Sequence, residues 1–256
     1  MLMAIDVGNS KVAFGIFEGG KFKLSLSMAT GIHRMTDEYA SLLFNLLYYH
    51  KIEKGDIKEA IMCSVVPPLV HVFQELCRRY LEIPLLNIEP GVRTGVRINL
   101  DNPREVGPDR IVNAAAAYRL YGGPTIVIDM GTATTFDVIS EEGSYLGGAI
   151  APGMEMASEA LYTRTARLPR IELSRPQHAI GKNTVAAMQS GVIFGYTGLV
   201  EGIVARIDRE LGAKARVIGT GSYADVIARE TDVIEEVNRH LTLLGLQQIH
   251  ELNQQH

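Results

Sequence analysis

Two short stretches carry the same arrangement of chemistry. Residues 5–15 read IDVGNSKVAFG and residues 128–138 read IDMGTATTFDV. In each, an apolar run ends on a carboxylate, Asp6 or Asp129, followed by an apolar residue and then Gly8 or Gly131. A carboxylate at a strand end can hold a cation, and the glycine lets backbone amides approach a phosphate. Asn9, Ser10, Thr132, Thr134 and Thr135 add neutral donors suited to phosphate oxygens. One such turn is ordinary hairpin chemistry. Two copies at equivalent points of a repeat imply facing walls of a cleft that holds a nucleotide's phosphate tail. A shift of 123 positions relates them, and it also lays Gly20 on Gly143 and Phe22 on Tyr145.

A third carboxylate stands in EVGPDRIVNAAAAY, where Asp109 follows Pro108 at the start of a helical pattern. Such a placement is common helix N-terminal chemistry. It also sets Asp109 beside Arg110, behind a Gly- and Pro-rich loop. A hydroxyl that receives a phosphoryl group needs a base within hydrogen-bond reach, and kinases commonly supply Asp. Arg110 could grip a substrate carboxylate through two contacts. Two other phosphate motifs do less well. GKNT (181–184) fails the Walker A pattern, because Pro176 and Asn183 occupy required positions. GTGSYA (219–224) fits G-x-G-x-x-A, but too little sequence follows it for the remaining βαβ units of a dinucleotide fold. It is expected instead to back the nucleoside in the same cleft.

The elements that must position these groups are readable from periodicity. Strands are expected at 1–7, 11–17 and 21–29, then a helix over 36–50, a buried strand at 59–66 stopped by Pro67 and Pro68, a helix over 69–81 and a strand at 84–88. A loop over 90–108 leads into a helix from Asp109 to about Tyr121. Gly122-Gly123-Pro124 reads as a hinge, so the expected domains are 1–121 and 122–256. The second half repeats the first with strands at 125–131, 134–140 and 144–151, a long helix over 182–211, a strand at 215–221 and helices near 223–230 and from 240. The pattern predicts a duplicated α/β protein with mixed sheets. Gly191, Gly195, Gly198 and Gly202 share one face of the long helix, where each costs roughly 1 kcal/mol relative to Ala. Close approach by another helix, within the chain or across a dimer, would repay that.

Bulk composition excludes several classes. With 25 basic and 29 acidic residues and no long run of either sign, nucleic acid and anionic membranes are not expected partners. No apolar window is long enough to read as a membrane span, and the N-terminus lacks a signal peptide's basic region. Two cysteines in apolar segments, Cys63 and Cys77, suit a reducing, cytoplasmic setting as buried thiols. The seven histidines show no metal-ligand spacing.

Taken together, DVGNS (6–10), VGPDR (106–110), DMGTATT (129–135), GGAIAPG (147–153), GKNTVAAMQSG (181–191) and LTLLGL (241–246) resemble type III pantothenate kinase nearly end to end. That family belongs to the acetate and sugar kinase, heat-shock chaperone and actin superfamily. The resemblance implies two RNase H-like (actin-like ATPase) domains, with helix-flanked mixed sheets and a nucleotide cleft between them. It implies ATP-dependent phosphorylation of pantothenate, the first step of coenzyme A synthesis, in a homodimer whose active sites lie at the interface. By position, Asp6, Val7, Gly8, Asn9, Ser10, Lys11, Val12 and Ala13 would form the first phosphate loop, with Asp6 near Mg²⁺. Thr132 would bind phosphate from the second loop and Gly221 would contact ATP. Asp129 would bind a monovalent cation, K⁺ or NH₄⁺. Asp109 would be the general base, and Gly107, Pro108, Asp109 and Arg110 would contact pantothenate. Thr184 would reach pantothenate from the neighbouring subunit.

Three positions depart from the family pattern. Leu100 stands in LDNP where a Tyr commonly lines the pantothenate pocket, Pro108 replaces an Ala, and Ser222 replaces a Gly in the late T-G-G loop. The residues leave other readings open: a regulatory homologue that binds ATP without turnover, a kinase for a related small hydroxy acid, and a nicotinamide-nucleotide enzyme using GTGSYA.

Overall fold

The structure is a computed structural model in which residues 1–254 are described. Contacts divide the chain into two compact units, each built on one sheet.

The first unit comprises Met1–Val96, Asp101–Ala116 and Leu241–His256. Its sheet contains β1 (Leu2–Val7), β2 (Lys11–Glu18), β3 (Lys21–Ala29), β4 (Glu59–Ser64) and β5 (Leu85–Asn87), in the order β3-β2-β1-β4-β5. β1, β2 and β3 are antiparallel, whereas β4 runs parallel to β1 and β5 to β4. Both faces of the sheet are covered, which explains why β1 reads as a nearly unbroken apolar run. On one face Met3, Ile5 and Val7 pack against α1 (Thr36–Tyr49) and α2 (Pro67–Glu75). Tyr39, Phe73 and Phe14 anchor that layer, with ring centroids 4.9 Å apart for Tyr39 and Phe73 and 6.1 Å for Phe14 and Phe73. Such pairs add about 1 kcal/mol each beyond burial. On the other face Ala4, Ile61 and Cys63 pack against α3 (Pro108–Tyr121) and the C-terminal helix, which spans Leu241–Gln254. Asp6, next in that alternation after Ala4, therefore projects toward the face on which α3 begins.

The second unit comprises Arg97–Leu100 and Ala117–His240. Its sheet order is β11-β10-β7-β8-β9-β6, from β6 (Arg97–Ile98), β7 (Thr125–Met130), β8 (Ala133–Ile139), β9 (Ser144–Pro152), β10 (Arg216–Thr220) and β11 (Glu236–Val237). Apart from the added edge strand β6, the order and strand directions repeat those of the first sheet. The turn after β7 is one residue shorter than its counterpart, since Val7 pairs with Val12 but Met130 with Thr134. The next turn is one residue longer, pairing Phe17 with Phe22 but Ile139 with Tyr145. The two changes cancel, and the 123-residue offset resumes. α4 (Met154–Thr163), α5 (Thr184–Leu211) and α6 (Ala224–Ala228) complete the unit. Asn183 caps α5 by accepting from the Ala186 amide at 2.9 Å, and Gly212 ends it in a left-handed conformation.

Several elements differ from the sequence expectation. The C-terminal helix, α7, belongs to the first unit rather than to a contiguous 122–256 half, and 97–100 belong to the second. The division falls inside α3 rather than at Gly122. Pro67 and Pro68 open α2 instead of merely stopping β4, because a helix's first turn leaves N–H groups unpaired anyway. The expected helix over 69–81 ends as a π-helical turn, Leu76–Leu81. α4, β6 and β11 were not expected. α5 is long and apolar enough to span a membrane by length and composition, yet Val192, Ile193, Tyr196, Val200 and Val204 pack it onto the second sheet. A methyl group added at Gly191, Gly195 or Gly198 would meet no atom within 4 Å beyond the helix's own backbone.

Candidate active site

In the first unit the site is built where β1 ends and α3 begins. Asp6 lies in register with Ala13 of β2 and Cys63 of β4. The turn that follows is tightly tied. Gly8 N–H donates to the Lys11 carbonyl at 3.0 Å, the Thr30 hydroxyl donates to the Gly8 carbonyl at 2.7 Å, and Thr30 N–H donates to the Ser10 carbonyl at 3.1 Å. Asn9, Ser10 and Lys11 face solvent, whereas Val7 and Val12 are wholly buried in the core. Only the backbone of those two valines is left to meet a ligand.

The two carboxylates of this unit sit in poor solvation. Asp6 is pushed up to about 6, first by burial and then by the negative charge of Asp109, against the smaller pull of the Cys63 thiol and Lys11. Burial also raises Asp109, opposed mainly by hydrogen bonds from the Arg110 and Asp109 amides and by the Arg110 charge. Asp109 Oδ1 is buried with no hydrogen-bond partner among the described residues. Gly107 makes room for it, because a side chain there would collide with that same oxygen. The Cys63 thiol donates to Asp6 Oδ1 at 3.5 Å. Sequence reasoning read Cys63 only as a buried thiol, since the register of two strands 57 residues apart carries no local signal.

In the second unit Asp129 occupies the equivalent place on β7, in register with Thr220 of β10. Gly221, at φ +89°, lies so close that a Cβ would fall 2.6 Å from Asp129 Oδ1. Gly131 also borders that carboxyl, at 3.6 Å for the same construction. Gly153 packs directly on the carbonyls of Gly131 and Thr132, and its own N–H donates to the Thr132 carbonyl at 3.1 Å. Thr132 lines a cavity of about 520 Å³ together with Glu155, Met156, Glu159, Arg170 and Tyr223. Its walls are braced by a short Tyr223–Glu155 hydrogen bond and by Arg170, which donates twice to Glu159 at 3.1 and 2.7 Å. Glu155, Met156 and Glu159 escaped sequence reasoning because α4 was not expected, whereas Tyr223 lies in the GTGSYA loop expected to back the nucleoside. The signal available was Gly153 ahead of the amphipathic stretch MEMASEALYT.

Leu100 packs over Gly147 of β9, where a Cβ would sit 3.1 Å from Leu100 Cδ2. Thr184 is exposed at the start of α5. Gly107, Pro108 and Arg110 gather around Asp109 at the start of α3.

The residues present suit the ions that this architecture implies. No group of three or more His, Cys, Asp or Glu side chains able to hold a metal occurs among the described residues. A single buried carboxylate with a second nearby, Asp6 with Asp109, suits Mg²⁺, which takes one or two carboxylates and completes its shell with water and substrate phosphates. Around Asp129, the space that Gly131 and Gly221 leave at the carboxyl suits a cation that the carboxylate would hold.

Two sheets of repeated topology, each flanked by helices and each ending its first strand on an Asp-x-Gly turn, define a protein of the actin-like ATPase and sugar-kinase fold. Solved structures agree on the fold. A conserved putative Baf family transcriptional activator from Campylobacter jejuni matches with a TM-score of 0.58 at 20% identity, over 98% of each chain. A putative N-acetylmannosamine kinase from Listeria monocytogenes matches with a TM-score of 0.52 at 10% identity, over 99% of each chain. At the level of sequence, the family model described as type III pantothenate kinase matches residues 2–206. A type III pantothenate kinase of Dehalococcoides mccartyi is 52% identical over 252 residues, covering 98% of this chain and 96% of the relative. One from Moorella thermoacetica is 50% identical over 253 residues, covering 99% and 100%. The chain belongs to the type III pantothenate kinase family.

Proposed function

We propose that the protein transfers the γ-phosphoryl group of ATP to the primary hydroxyl of pantothenate, giving 4′-phosphopantothenate and ADP at the entry to coenzyme A synthesis. Identity of about half over nearly the whole chain supports the reaction. The observation that carries the roles is the buried Oδ1 of Asp109, without a hydrogen-bond partner among the described residues and set near the Asp6 carboxylate.

In this reading Asp109 accepts the hydroxyl proton as the new O–P bond forms and the bond to the ADP oxygen breaks. Burial makes its carboxylate a stronger base than an exposed Asp, and the helix amides and the Arg110 charge oppose that rise. Gly107, Pro108 and Arg110 orient the acceptor, and Leu100 lines the acceptor pocket with an aliphatic surface. The backbone of 7–13 and Thr132 bind phosphate, and Gly221 lets the neighbouring chain come close to the nucleotide. The cavity beside Thr132 has the size of a small-ligand pocket and receives the nucleoside. Asp6 holds Mg²⁺ and Asp129 holds K⁺ or NH₄⁺; bound there, the cations neutralise charge on the phosphates. The protein acts in the cytoplasm as a homodimer that meets through the uncovered glycine face of α5 and brings Thr184 to the neighbour's acceptor site. Phosphorus NMR of the product, with a panel of small hydroxy acids as alternative acceptors, tests the assignment. A phosphomonoester on the primary hydroxyl of pantothenate is expected, and phosphorylation of a different acceptor alone would overturn it.

A further inference from the structure

β1 and β4 run parallel with Asp6 opposite Cys63, so the two side chains project from the same face of the sheet. Around this pair the face is apolar, where Ala4 and Ile61 pack against Val112 of α3 and Leu243 of α7. Packing there asks only for a small aliphatic group, yet position 63 carries a donor. Its thiol is fully buried and lies 3.5 Å from Asp6 Oδ1. It is the only side-chain hydrogen-bond donor to Asp6 among the described residues. The repeat repeats the device: Thr220, a buried hydroxyl, stands opposite Asp129 in the same register. In both units, the residue beside the strand-end carboxylate can donate to it.

We infer that Cys63 is a positioning residue for phosphoryl transfer: its S–H holds Oδ1 of Asp6 and so presents the other carboxylate oxygen to the divalent cation. This rests on the reading of Asp6 as the Mg²⁺ holder. A carboxylate at a metal is oriented by its own hydrogen-bond partners, and losing one commonly weakens metal binding 10- to 100-fold. A thiol is a weak donor, so about a 5- to 10-fold effect is expected.

The test compares Cys63→Ala with Cys63→Ser, which differ only in a hydroxyl, and Cys63→Val with Cys63→Thr should the alanine cavity impair folding. Calorimetric titration measures ADP binding with and without Mg²⁺, and kinetics give the half-saturating Mg²⁺ concentration and the KM for pantothenate. Expected is a several-fold loss of Mg²⁺-dependent ADP affinity in the Ala or Val variant. Metal-free ADP affinity and the pantothenate KM stay unchanged, and Ser or Thr restores binding to within about 2-fold. Equal behaviour of the hydroxyl and methyl variants, whether both normal or both impaired, would overturn the inference. Wild-type protein whose ADP binding ignores Mg²⁺ would remove the reading of Asp6 beneath it.

Discussion

Asp6 and Asp109 come from opposite sides of one apolar layer, a strand end and a helix start, and the charge of Asp109 helps raise Asp6 to about 6. Two carboxylates held in poor solvent destabilise the apo protein at neutral pH. Such a pair is retained at sites where ligands later supply the missing cation and proton.

That cost is measurable. The folded-state value of Asp6 lies above its ordinary 3.8, so folded protein keeps a proton that the unfolded chain has lost between about pH 4 and 6. The contribution of Asp6 to stability is therefore lost as pH rises through 6, and above it the ionised group costs on the order of 3 kcal/mol. Asp6→Asn is expected to raise the melting temperature of metal-free protein at pH 8 and to leave it nearly unchanged near pH 4. It should also abolish turnover. Calorimetric melts at the two pH values check this, and no gain at pH 8 would contradict the burial cost.

Gly107 is needed for its missing side chain. A methyl group there would push against Asp109 Oδ1. Gly107→Ala is expected to lower kcat at least 10-fold through a displaced base, with little change in nucleotide affinity. Steady-state kinetics beside ADP titration separate the two effects.

Gly221 combines a left-handed backbone with contact to Asp129 and to the Met130 backbone, which a Cβ would approach to 2.6–2.7 Å. Gly221→Ala should destabilise the protein by about 2 kcal/mol or more, seen in denaturant melts, and should raise the K⁺ concentration needed for activity. A stable variant with an unchanged cation requirement would separate Gly221 from Asp129.

The repeat was legible because the Asp-x-Gly turns and their flanking strands are local patterns, and two compensating one-residue changes in turn length left the offset intact. Asp109 was legible as a helix-start carboxylate. Long-range pairing was not. The return of α7 to the first unit depends on Gly245 lying against the Val112 carbonyl of α3, a contact between helices more than a hundred residues apart. The approach of Cys63 to Asp6 depends on strand register in the same way. α4 was missed because β9 runs on through Pro152 and the helix starts immediately after Gly153, leaving no loop to mark the change.

Asp109 as the base is the central claim. Its most direct test is ADP release from Mg²⁺ and ATP, with and without pantothenate, in K⁺ and in Na⁺ buffer, for the wild type and Asp109→Asn. Release that requires pantothenate and K⁺, and that falls at least 100-fold in Asp109→Asn while ATP binding persists, is the predicted result. Pantothenate-dependent release that survives in Asp109→Asn, or is absent from folded wild-type protein that binds ATP, would contradict the account.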